Sequence, residues 1–166
     1  MVIAGTDNPN TPGYLENVQK QYQDTPQLTF TGYVEEEDVP VIFGESAMVV
    51  FPYTSTTGSS GVLHQAGSYG KAVVMPDLGD LSILVKEEGY RGEFFDPQST
   101  DSLATAIQKI VVDKAYRNQL AKANYQAATA FPMSRITKMY IDSFKSIKNG
   151  KSKKKKEEKE LQGISV

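Results

Sequence analysis

Residues 47–75 read AMVVFPYTSTTGSSGVLHQAGSYGKAVVM, and three patterns succeed one another within them. AMVVFPY is a nearly continuous apolar run, which predicts a strand buried on both faces of a parallel sheet. TSTTGSSG is rich in hydroxyls and glycine and predicts a loop. VLHQAGSYG then suits a helix, and KAVVM is a second apolar strand. A strand, a crossover helix and a second strand in this order are the unit of a parallel α/β sheet.

The same alternation extends in both directions. Upstream, MVIAG predicts a strand, TDNPNTPG a loop, and YLENVQKQYQ a helix with Tyr14, Leu15, Val18 and Tyr22 at helical spacing. LTFTG alternates as a strand ending at Gly32, and EEEDVPVIFGES suits a short helix that tolerates Pro40 in its first turns. Downstream come the loop PDLGD, a short helix around LSILVKEEG and the strand GEFFD. From Ser99 the pattern is helical only. Leu103, Ile107 and Ile110 share one face of the first helix, Tyr116, Leu120 and Ala123 or Ala127 one face of the second, and Ser134 can cap a third over MYIDSFKSI. No internal repeat is evident.

The chain has 166 residues, no cysteine and a single histidine. Disulfides, thiolate metal sites and cysteine nucleophiles are thereby excluded, and no metal site is expected. No run approaches the 18 or so apolar residues of a membrane span, and MVIAGTDNPN is not built as a signal peptide, so the expectation is a cytoplasmic protein. The formal net charge of −2 is unevenly spread. From Lys148 onward seven Lys stand against three Glu, a local +4, which leaves the body at −6. We read residues 1–147 as one α/β domain and residues 148–166 as a Lys/Glu-rich tail, frayed or disordered. Glu157 and Glu158 dilute the run Lys153 to Lys156, so no nucleic-acid partner is expected.

Ligands of open parallel sheets bind at the carboxyl ends of strands near helix N-termini, where free N–H groups and the helix dipole favour anions. The segment YTSTTGSSGVLHQ meets that description: it follows an apolar strand and opens a helix, and Gly58 and Gly61 admit close approach to the backbone. It contains neither GK[ST] nor GxGxxG, and Gly and Ser also make ordinary turns. His64 could face a ligand as donor or base. A lone histidine with no partner carboxylate nearby in sequence is more often a packed or surface side chain. Of the tyrosines at strand ends, Tyr33, directly after Gly32, is the one placed to meet a ligand.

The ordered set VIAG, LTFTGYV, an acidic short helix, SAMVVFPY, GSSGVLHQAGSYGKAVVMPDLGD, GEFFDP and DSLATAIQKIVVDKAYRNQLAKANYQAATAF, with a final helix, resembles the C-terminal half of group 4 glycosyltransferases over about residues 1–147. That resemblance implies a Rossmann-like parallel sheet with flanking helices, half of a two-domain B-type fold. It also implies a retaining, hexosyltransferase-type transfer from a nucleotide diphosphate-sugar donor to a glycan or lipid-linked acceptor, with no further cofactor. Carried over by motif, Gly32, Tyr33 and Val34 would lie against the base, while Ser60, Gly61 and Val62 would hold the diphosphate, Gly58 and Ser59 belonging to the same donor-binding loop. The family's paired glutamates fall on Thr57 and Gln65, and a further glutamate on Ile83, so no catalytic residue is assigned. The resemblance also implies that the family's first strand, its basic loop and the N-terminal acceptor domain precede the VIAG strand and are missing here. The expectation is therefore a donor-binding portion, inactive alone, with a gap or exposed edges in its sheet. Its parent would work in polysaccharide or glycolipid assembly, a task compatible with peripheral membrane association. The alternatives are a non-catalytic nucleotide- or partner-binding module, or a related two-domain enzyme such as a nucleotide-sugar epimerase.

Overall fold

The computed structural model describes residues 1–55, 61–130 and 132–161, with the side chains of Met133 and of residues 150–161 excepted. Strands and helices alternate as β1 (Val2–Ile3), α1 (Tyr14–Gln21), β2 (Thr29–Phe30), α2 (Val39–Glu45), β3 (Met48–Val50), α3 (Gly61–Ser68), β4 (Ala72–Pro76), α4 (Asp80–Glu87) and β5 (Gly92–Phe95). Three helices follow, α5 (Thr100–Val112), α6 (Lys114–Ala130) and α7 (Met133–Leu161). All strand pairs are parallel, as an α/β chain with helical crossovers requires. The hydrogen-bonded strands form two sets, β1-β2 and β3-β4-β5. The chain divides correspondingly into two compact units, Met1–Ala47 and Met48–Val166.

In the first unit, β1 pairs with β2 in the register Val2 to Thr29 and Ile3 to Phe30. The loop after β1 folds back so that the Asp7 carboxylate accepts from the amides of Gly13 and Leu15, 2.7 Å in the latter case. A carboxylate there satisfies free donors and complements the positive end of α1. Gly13, at φ 81°, makes the left-handed turn into the helix. Leu15 and Val18 are half-buried, whereas Tyr14 and Tyr22 stay exposed. α2 starts only at Val39, with Pro40 in its first turn, and residues 35–38 remain outside the helix. No residue of 1–47 is fully buried.

The second unit holds the core. β4 is buried along its whole length because it lies between β3 and β5 and beneath helices. Sequence reading expected both-face burial of AMVVFPY, yet β3 is only half-buried: it is an edge strand, and full burial passes to the strand paired on both sides. One face of the sheet contributes Ala72, Val74 and Phe95, covered by Ala106 and Ile110 of α5 and Leu120 of α6. Val73 and Met75, pointing the other way by alternation, are equally buried. β5 opens with Gly92 because a Cβ there would lie 2.5 Å from the Val73 carbonyl oxygen.

The closing helices carry their expected apolar faces, with two differences. α5 is capped by Ser99, whose hydroxyl accepts from Ser102 N at 3.1 Å. On α6 the position after Ala123 on the Leu120 face is Asn124, fully buried; its amide donates to Lys71 O at 2.9 Å and accepts from Arg91 N at 2.8 Å. It ties the residues that lead into β4 and β5 to the helix, with its amide oxygen and nitrogen both hydrogen-bonded. Ser134 does not cap α7, since the helix already begins at Met133 and Pro132 O accepts from Arg135 N. α7 continues through the Lys-rich segment to Leu161. No described helix is long and apolar enough to cross a membrane.

Candidate functional site

The residues singled out from sequence fall into three groups. Gly32, Tyr33 and Val34 form the loop that leaves β2. Gly32 takes φ 68°, and its carbonyl accepts from Gly5 N at 3.1 Å and from the Thr31 hydroxyl at 2.9 Å, so the loop is tied to the one leaving β1. Tyr33 is 72% exposed, while Val34 is half-buried. Its ring stands in solvent rather than covering a core edge.

Gly61, Val62 and Gln65 belong to α3, with Gly61 its first residue and Val62 and Gln65 exposed. The first turn of any helix presents N–H groups without intrahelical acceptors, and the dipole adds positive potential there. α3 is anchored below by buried Leu63, Ala66 and Gly67. Thr57, Gly58, Ser59 and Ser60 lie outside the described residues. Ile83, where the resemblance led one to expect a glutamate, is exposed on α4.

The structure supplies what sequence reading did not find for His64. Its Nδ1 lies 2.8 Å from the Tyr90 hydroxyl, and its Nε2 lies 3.9 Å from Glu88 Oε2. The imidazole meets the Tyr90 ring edge-on with centroids 5.4 Å apart. The partner carboxylate is therefore 24 residues away in sequence, in the turn between α4 and β5, where local inspection does not reach. Tyr90 is buried, and burial followed by the nearby Glu88 charge raises its hydroxyl above the usual tyrosine range. The hydroxyl thus stays protonated and shares a hydrogen bond with Nδ1. Tyr53, also at a strand end, packs edge-on against Phe51 at 5.7 Å, which is the ordinary role of a core-edge aromatic. Among the described residues no three His, Asp or Glu side chains gather as a metal site.

The fold has known counterparts. Sucrose-phosphate synthase from Thermosynechococcus elongatus superposes on 90% of this chain with a TM-score of 0.74 and 22% identity, the match taking in 38% of that protein. Anabaena HepE in complex with UDP matches over 87% of this chain with a TM-score of 0.75 and 19% identity, and 40% of HepE is covered. WaaG, a glycosyltransferase involved in lipopolysaccharide biosynthesis, matches 77% of this chain with a TM-score of 0.58, 17% identity and 33% of its own length. At such identities the likeness is one of fold. The chain spans about two fifths of the first two structures. No curated protein matches the sequence. A family model described as glycosyl transferases group 1 matches residues 1–113, more than half of the chain, with β1 through α5 inside it. This chain belongs to the glycosyl transferases group 1 family.

Proposed function

We propose that this chain is the donor-binding portion of a retaining, hexosyltransferase-type glycosyltransferase, which moves a sugar from a nucleoside diphosphate to a glycan or lipid-linked acceptor. Family membership over residues 1–113 carries the reading. It is supported by the HepE structures holding UDP and UDP-glucose on the same fold. In this reading the amides at the start of α3 bind the diphosphate, and they hold it more strongly as the leaving group gains charge, which lowers the barrier without a metal. Gly61 keeps the approach open, and Gln65, one turn on, offers an amide to the ribose hydroxyls. Tyr33 is the exposed aromatic of the loop assigned to the base. Acceptor recognition falls to a second domain, so the isolated chain binds donor without transferring sugar. We place the parent enzyme in polysaccharide or glycolipid assembly, peripheral to the membrane.

A second reading, a non-catalytic nucleotide-binding module, is favoured by Thr57 and Gln65, which stand where the family carries glutamates. Calorimetric titration of the chain with UDP, GDP and ADP tests both. Saturable binding selective for one base is the expected result, and a folded chain that binds none of the three would overturn the donor-site reading. Joining the chain to an acceptor domain and finding sugar transfer would remove the second reading.

A further inference from the structure

His64 sits on α3, three residues after Gly61, so its Cα is only about 4.5 Å along the helix axis from the amino end. Both ring nitrogens face partners from the turn between α4 and β5: Nδ1 meets the Tyr90 hydroxyl at 2.8 Å and Nε2 faces Glu88 Oε2 at 3.9 Å. Among the described residues, Glu88 Oε2 is the buried side-chain oxygen without a hydrogen-bond partner. Such an atom is costly to leave alone, and His64 Nε2, 3.9 Å away, can donate towards it in the tautomer that carries its proton there. One turn further along α3, Gly67 lets the helix settle onto the same tyrosine, since a Cβ there would lie 2.7 Å from Tyr90 Cε1 and 3.0 Å from Asn124 O. Gly67 therefore sets how closely α3 approaches Tyr90.

We propose that His64, gripping Tyr90 and Glu88, is a positioning residue that holds the amino end of α3 at the height needed to bind a nucleoside diphosphate. The half-exposed imidazole, with Nδ1 on Tyr90 and Nε2 towards Glu88, is assigned a positioning rather than a proton-transfer role. It acts on the ligand only through the helix it anchors. This inference rests on the donor-site reading and adds to it a residue outside the positions carried over from the family.

The test is UDP, GDP and ADP titration of the full chain and of His64→Ala, His64→Gln, Tyr90→Phe and the double variant His64→Ala/Tyr90→Phe, with thermal unfolding of each. Loss of one hydrogen bond that orders the helix end predicts about fivefold to tenfold weaker binding for His64→Ala and for Tyr90→Phe. The double variant is expected to be no weaker than the worse single one, because both remove the same link. His64→Gln can accept from Tyr90 and donate towards Glu88, so it should restore most of the affinity. A purely structural role would lower the melting temperature and leave the affinity of the folded protein unchanged, which would overturn the proposal. Additive losses, or no rescue by glutamine, would overturn it too. If the wild-type chain binds none of the nucleotides, the donor-site reading itself fails, an outcome distinct from wild-type binding that the variants leave untouched.

Discussion

Gly61 and Tyr116 are two residues whose chemistry can be read directly. A Cβ at Gly61 would meet no described atom within 4 Å, so none of the described residues opposes a side chain there, whereas the proposed phosphate approach does. We expect Gly61→Val to abolish nucleotide binding with a melting temperature within a degree or two of wild type, measured by titration and calorimetry on the same sample. Tyr116 donates its hydroxyl to Glu93 Oε1, and Lys109 Nζ reaches the same oxygen at 2.8 Å. That hydrogen bond, with burial and the Glu93 charge, pushes the phenol up to about 12 from its ordinary value of 10.0. The unfolded chain releases this proton near pH 10 and the folded one holds it to about 12. Across that window the unfolded state binds fewer protons, so the contribution is full below pH 10 and falls as pH rises. Denaturant unfolding between pH 9 and 12 should show this slope, and Tyr116→Phe should flatten it.

At the level of elements, the difference between β3 and β4 matters most. Both read as uninterrupted apolar strands, VVF and AVVM, and nothing in their composition separates them. Pairing separates them: β4 is flanked on both sides and β3 on one. A charge placed at Val74, wholly buried on β4, has no water and no partner, whereas at half-buried Val49 it can reach solvent. Val74→Asp should therefore cost at least about 4 kcal/mol and prevent folding, and Val49→Asp about 1 to 2 kcal/mol. Urea unfolding of the two variants checks this, and equal losses would contradict the edge assignment of β3. The helices were more legible than the strands. The Leu103, Ile107 and Ile110 stripe is where α5 meets the sheet, because a helix face is set by local spacing. Asn124 lies on the Leu120 face at the next turn, a polar residue on an apolar stripe, and that was the available sign of its buried role.

Across the whole molecule, stability is distributed unevenly. The fully buried side chains all belong to Met48–Val166, while Met1–Ala47 has none and holds strands of two residues. Backbone hydrogen bonds with so little apolar cover open at low free energy. Hydrogen exchange followed by mass spectrometry should find amides of β1, α1 and β2 exchanging well before those of β4 and α5. Uniform protection would contradict it.

The order of elements, the α/β class and the family were legible from the sequence, because alternating apolar runs, helical periodicity and turn residues are local signals and their succession is itself diagnostic. So was the start of α3, placed by the sequence at Val62 and found at Gly61. Tertiary structure alone decided which strand is central, since hydrogen-bond partners come from distant segments. It alone joined His64 to Glu88 and Tyr90, and Asn124 to Lys71 and Arg91. Those contacts link residues 24 to 53 positions apart, and no local pattern encodes a distance that only chain packing creates.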